Sequence, residues 1–302
     1  MNDNIAEDAF GSELVDVLNN AFANTLNEGF RLCESAIEKP RAEVLSWIEE
    51  HSIDQQASLR TLYACASRSA AHLLANSEDH IKAFTDLIVP CAPAHLYCYM
   101  SIARVASESA CLFAELQDIM YSPEERIIRG TALLLKIYQE AGKMTADLDR
   151  HSNDSASARL KSDATTIVAN IESDALRSGI EVVYGNRGAA VKLVRTHIEC
   201  LVRVNASELH DRRLVHVPFA YRLSSSFVHG HHYLMESRLV DRELQFPYHT
   251  DMLVHAALIC LDSLYAMVWA CYDRGDEVAF AYLSEVQNWM EKIVKLRRAA
   301  TS

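Results

Sequence analysis

Turn-forming residues are scarce in this chain: its 302 residues include only nine glycines and six prolines. A β-rich protein of this length needs many more, because tight hairpins depend on residues that accept positive φ or pre-set φ near its turn value. The scarcity favours long helices. Cysteines at metal or redox spacing are also missing. The eight that occur, Cys33, Cys65, Cys91, Cys98, Cys111, Cys200, Cys260 and Cys271, form no Cys-x-x-Cys pair. Most lie among apolar residues, which reads as small buried hydrophobes in a reducing, cytoplasmic compartment and not as a disulfide frame or zinc site. There is no excess of positive charge: 29 Lys and Arg against 41 Asp and Glu leave a net −12. This balance excludes generic DNA or RNA binding by phosphate neutralisation, although a local basic patch stays open. It also sets the surface against anionic lipid. The most apolar run, Ala256 to Tyr272, contains Asp262 and falls short of the roughly 20 residues that span a bilayer. It is expected to be the buried central helix of a bundle, with no membrane segment anywhere. The first residues, MNDNIAEDAF, are acidic and polar, unlike a secretion signal.

What the chain does have is helical periodicity. Leu14, Val17, Leu18, Phe22, Leu26 and Phe30 share a face of one long helix, and Leu59, Leu62, Tyr63, Ala66, Ala70 and Leu73 share a face of another. Asp54 is a candidate N-cap, and Ser77 before Glu78 and Asp79 is a candidate helix start. A helix is expected over 94–120. Ser122-Pro123-Glu124-Glu125 then marks a clear N-terminus, with a Ser cap, proline in the first helical position and two acids behind it. Tyr184 to Gly188 reads as a loop, and Ala189 to Val204 as helix again. The expected class is all-α, a multi-helix bundle with long antiparallel helices, in a single domain over 1–302. The small polar stretch His151 to Ala158 is the best linker, and could divide 1–150 from 159–302; a loop inside one bundle fits it equally well.

The most distinctive segment is Tyr221-Arg-Leu-Ser-Ser-Ser-Phe-Val-His-Gly-His-His232. Arg222 and His229 are seven apart, two helical turns and about 10.5 Å along one face, with Ser225 and Ser226 between them. Gly230 would end the helix and leave His229 in its last turn, where the helix dipole favours the protonated ring. The same residues also have a plain structural use, since Arg222 can pair with any of several acids and His229 can cap its own helix.

Arg followed after six residues by His, in an all-helical chain, resembles the signature of the HEPN superfamily (higher eukaryote and prokaryote nucleotide-binding domains). In its ribonuclease members an Arg and a His meet at a dimer interface and cut RNA without metal. The resemblance implies a homodimer acting on single-stranded RNA, in stress or phage defence. In that reading His229 moves the proton of the 2′-hydroxyl or leaving group, and Arg222 steadies the phosphate charge. It covers a dozen residues, and the chain departs from it at Leu223, where ribonuclease members carry a small polar residue. A non-catalytic ligand- or protein-binding module and a small-molecule enzyme with an inter-helical pocket are the alternatives. No cofactor is implied.

Two further sets of polar residues stand out. His229, His231 and His232, with His249 and His255, invite a metal reading, but no His-Glu-x-x-His or Glu-x-x-His element accompanies them, so no metal is expected. Arg104 and Glu108 have i, i+4 spacing, which reads as a surface pair, and Glu115 lies two turns beyond Glu108. Glu125 and Arg126 open the next helix. Asp262, alone in its apolar run, would be costly to bury without a partner. Arg222 is the partner that suggests itself. Arg104, Glu108, Asp262 and His232 are thus the candidate binding residues beside the catalytic set.

Overall fold

Capping chemistry fixes where the helices begin. Ser122 Oγ accepts the Glu125 amide at 3.2 Å, and the Glu125 carboxylate accepts the Ser122 amide at 3.0 Å. This reciprocal box opens the helix at Pro123, as its sequence requires. The computed structural model describes residues 2–38, 41–88, 96–151, 155–185, 188–193, 199–201, 205–218, 220–228, 245–273 and 275–301. Over them the fold is a multi-helix, all-α bundle with one small sheet, divided into two compact units.

The first unit comprises Met1–Glu38, His72–Gln117 and Asn205–Ser302, and the second Lys39–Ala71 and Asp118–Val204. In chain order the elements are α1 (Asn2–Glu38), α2 (Ala42–Glu49), α3 (Ile53–Asp86), α4 (Leu96–Gln117), α5 (Pro123–His151) and α6 (Ser155–Arg177). Strands β1 (Ile180–Gly185), β2 (Gly188–Leu193) and β3 (Glu199–Leu201) follow, then α7 (Ala206–Arg213), α8 (Ala220–Val228), α9 (Gln245–Cys271) and α10 (Glu277–Thr301). Helix α3 gives its first part to the second unit and its last part to the first.

In the first unit α9 is the central rod, packed on α4, α1 and α10. Val254, Ile259, Leu261, Leu264 and Met267 are buried around its whole circumference, which is why its sequence lacks a polar face. Phe84 sits edge-on to both Phe22 and Tyr99, with ring centres 5.6 and 5.9 Å away. The apolar stretch is longer than the run read from sequence. Asp251–Cys271, 21 residues, is long and apolar enough to cross a membrane by length and composition, and 72% of its apolar window is buried inside the fold.

The second unit has its own core, built from Val44, Ile48, Leu59, Leu62, Ile127, Ile128, Leu134, Leu135, Ile171 and Ile180. Arg126, nearly inaccessible, is held there by Glu43 Oε1 at 2.9 Å and the Ile119 carbonyl at 2.9 Å. Of the polar stretch 151–158, His151 ends α5 and Ser155–Ala158 begin α6, two helices of this unit that pack on each other, and 152–154 lie outside the described residues.

Three local expectations are corrected. Residues 189–193 and 199–201 are strands, not helix, and Tyr184, Gly185 and Gly188, expected in a loop, are strand residues too: β1 and β2 pair antiparallel with Val182 opposite Val191, and β2 pairs with β3 with Val191 opposite Cys200. The β-branched run Ile180-Glu-Val-Val-Tyr prefers the pleated surface, and Gly185 and Gly188 are register partners across a two-residue connection. Ser77 does not begin a helix, because α3 runs through it unbroken; its hydroxyl is buried and donates to the Ala106 carbonyl at 3.2 Å. The N-terminus of α3 is organised by Ser52, whose amide and hydroxyl both reach Gln55 Oε1, leaving Asp54 in the first turn.

Candidate functional site

A row of polar side chains on α4, at one- and two-turn spacing, meets α7 and α8 within the first unit. Asn205 opens α7 by accepting the amides of Ser207 and Glu208, and this orients the helix so that His210 points into the core. His210 Nδ1 donates to the Ala206 carbonyl at 2.7 Å, and Ser107 Oγ lies 3.1 Å from Nε2. With Nδ1 carrying the proton, Nε2 of the neutral ring is an acceptor, and the one Ser107 hydroxyl proton has both it and the Arg104 carbonyl, 2.9 Å away, within reach. Burial holds His210 below the ordinary histidine range, so the neutral ring is the favoured one. Tyr221 of α8 closes over it, 5.0 Å between ring centres.

Arg104 is more enclosed than a surface pair. Its Nε reaches Glu108 Oε1 at 2.8 Å, its guanidinium lies 5.1 Å from the Tyr221 ring centre, and a further nitrogen reaches the phenol at 3.4 Å. One turn past Glu108, Cys111 is a buried thiol pushed far up by desolvation, so it is not a poised nucleophile. One further turn on, Glu115 receives both Arg212 and Arg213 on one oxygen, at 2.9 and 2.7 Å.

The connection that follows α7 carries the most directed chemistry. Asp262, fully buried on α9, accepts the amides of His216 and Val217 on Oδ2 at 2.9 and 3.0 Å. Its Oδ1 lies 2.8 Å from His216 Nδ1. A carboxylate so placed fixes the ring orientation and keeps the proton on Nδ1, which leaves Nε2 to exchange protons. Among the described residues Nε2 has no hydrogen-bond partner, and the side chain keeps 26% of its surface exposed. The hydrogen bond to Asp262 lifts the His216 pKa above its ordinary value, and partial burial opposes this. Tyr265, one turn along α9, stands edge-on to the imidazole at 4.6 Å. Trp269, another turn on, lies nearly parallel to Tyr265 with ring centres 6.0 Å apart, and is 43% exposed. The stripe thus runs from a buried anion through an oriented imidazole to an accessible indole.

These positions correct the pairing expected for Asp262: its partner is His216, not Arg222. Arg222 lies exposed on α8, with Nε 3.5 Å from Ser207 Oγ. Ser225 is half-buried on the same helix, while Ser224 is the buried hydroxyl, bonded to the Ala220 and Tyr221 carbonyls. Ser226 belongs to α8, but its side chain lies outside the described residues, as do His229, His231 and His232. His255 points Nδ1 to the Asp251 carbonyl at 2.7 Å. Among the described residues no three His, Cys, Asp or Glu side chains gather as metal ligands would.

Reading from sequence missed His210, His216, Tyr221 and Trp269. One signal was available, the string His210-Asp-Arg-Arg-Leu-Val-His216, and a second was Tyr265 and Trp269 at i+3 and i+7 from the singled-out Asp262. Compared with family models, curated proteins and solved structures, the chain finds no match, and its site stands on its own geometry.

Proposed function

We propose that the first unit is a metal-independent ribonuclease acting on single-stranded RNA at the α7–α9 stripe. The observation that carries this reading is the imidazole of His216, fixed by a buried carboxylate with Nε2 free to take or give a proton. A carboxylate-oriented histidine is a common general base or acid near neutral pH. In RNA cleavage, Nε2 would take the proton of a 2′-hydroxyl as that oxygen attacks the adjacent phosphorus. The 5′-oxygen leaves with a proton from a second acid, and a cyclic phosphate remains. Trp269 and Tyr265 offer π-faces on which an unpaired base stacks, an interaction worth about 1–3 kcal/mol per base. The HEPN resemblance adds Arg222 to hold the phosphate and His229 as the second proton carrier, with a homodimer as the assembled form. Because the chain carries −12 overall, substrate capture rests on stacking and local cations.

The test is cleavage of a labelled single-stranded RNA in excess EDTA by the wild-type chain, His216→Asn and His229→Ala. Each variant should lose at least about 100-fold in rate with an unchanged circular dichroism spectrum. An inert wild-type chain would end the proposal.

One observation favours a second reading, a non-catalytic binding module. Asp262 also accepts two backbone amides, which is what a clamp holding the 214–217 connection to α9 requires. In that case His216→Asn lowers the melting temperature and Trp269→Ala weakens ligand binding, while no reaction is lost.

A further inference from the structure

The segment that carries His216 is anchored at its other end by a second buried carboxylate. Glu115 of α4, 8% exposed, takes Arg212 Nη2 at 2.9 Å and Arg213 Nη2 at 2.7 Å on the single oxygen Oε2. Both arginines stand in the last turn of α7, which closes as the Leu214 amide donates to the His210 carbonyl at 2.8 Å. The chain then leaves the helix, and Asp262 of α9 takes the amides of His216 and Val217. Between the two anchors Leu214 is buried and Val215 faces outward.

Two acids, on two helices that pack against each other, thus hold one short piece of chain. Three residues span at most about 11 Å, so Arg213 and His216 have little slack between their anchors. Cys111, one turn before Glu115, lies within reach of both anchors' charges: burial raises its thiol most, Asp262 raises it further and Arg213 opposes them. Arg213 is enclosed and Arg212 half exposed, which makes Arg213 the firmer of the two ties. A guanidinium donates in fixed, planar directions, so this pairing sets the roll of the last turn of α7 as well as its place.

We infer that Glu115 is a positioning residue for His216: through Arg213 it fixes where the 214–217 connection leaves α7, and so the register in which the imidazole meets Asp262. Its use in catalysis rests on the ribonuclease reading; the positioning itself does not. Glu115 acts through the chain and not on the reacting atoms.

The test is the titration of His216 by nuclear magnetic resonance, on the full chain with nitrogen-15 histidine, which reads the midpoint and the tautomer together. In the wild-type chain the midpoint should lie above 6.5, with the neutral ring protonated on Nδ1. Glu115→Asp keeps the charge and draws the anchor back by one methylene. The midpoint should then fall toward 6.5 and the Nδ1 preference weaken, whereas a Glu115 acting by charge alone would leave both in place. Arg213→Gln removes a cation three residues from the imidazole, which by charge alone would raise the midpoint, while lost position lowers it. A fall in both variants, with the circular dichroism spectrum unchanged, is the expected result, and a midpoint that stays or rises in either would overturn the inference. Should Arg213→Gln fail to fold, Glu115→Asp decides alone. RNA cleavage separates the two claims. An inert wild-type chain ends the ribonuclease reading, and the titration still decides the positioning. If the wild-type chain cuts RNA, Glu115→Asp should lower kcat by up to about 100-fold with KM little changed, and an unchanged kcat would overturn the catalytic use of this anchor.

Discussion

Two histidines seven residues from one another by inclusive count, His210 and His216, sit in opposite electrostatic settings, and stability should record both. The hydrogen bond that His216 donates to Asp262 raises His216 above its ordinary 6.5. The folded chain therefore holds that proton more tightly than the unfolded one. This contribution is fully present below the unfolded value and is lost as pH rises through the folded one. Burial lowers His210 from the same ordinary value, so its contribution is present above the unfolded value and is lost as pH falls toward the folded one. Urea midpoints measured from about pH 5 to 9 should fall on both sides of a maximum near neutrality. His216→Asn should flatten the alkaline side, and His210→Asn the acid side. If either variant instead shifts the whole curve without changing its shape, the proton linkage assigned to that residue is wrong. Sequence made Asp262 conspicuous, because a lone carboxylate in an apolar run needs an explanation. It could not supply the partner, since His216 is 46 positions away in a connection whose path depends on tertiary packing. Arg222 was the wrong choice for the same reason: helical spacing locates a side chain on its own helix only.

At the scale of elements, the legible features were those whose physics is local. The capping box at Ser122 needs only four consecutive residues, and both reciprocal hydrogen bonds are present. Ser122→Ala removes the acceptor for the Glu125 amide and should cost about 1 kcal/mol. A denaturant midpoint lowered by that amount, with the slope unchanged, checks it; no change would mean that solvent replaces the cap. The strands were illegible for a related reason. Gly188-Ala-Ala-Val-Lys-Leu193 has good helix formers, and only its pairing with Ile180–Gly185 makes it a strand. Propensity yields to cross-strand contacts there. Ser77 shows the converse. Its sequence context resembles a helix start, but a buried hydrogen bond to the Ala106 carbonyl gives the hydroxyl another use in the middle of α3.

Across the whole molecule, neither compact unit is a continuous stretch of chain. The first takes three segments and the second takes two, so no linear composition change marks their boundary, and the polar stretch 151–158 lies within the second unit. Each unit nonetheless has a core of its own: Leu261, Leu264 and Phe113 in the first, Ile128, Leu135 and Leu59 in the second. A chain of this length with two separate cores should not unfold in one all-or-none step. Calorimetry should therefore resolve two transitions. Ile128→Ala removes a fully buried side chain from the second core and should cost about 2–5 kcal/mol there. Only one of the two transitions should move to lower temperature, and hydrogen exchange should speed up in α5 and α6 while the amides around Leu261 keep their protection. Helix α3, shared by both units, is where protection should change partway along a single helix, falling before Ala71 and holding after His72. A single transition displaced as a whole, with exchange accelerated equally in α9, would show that the two cores form one cooperative body and would remove the basis for treating the His216 stripe as a property of the first unit alone.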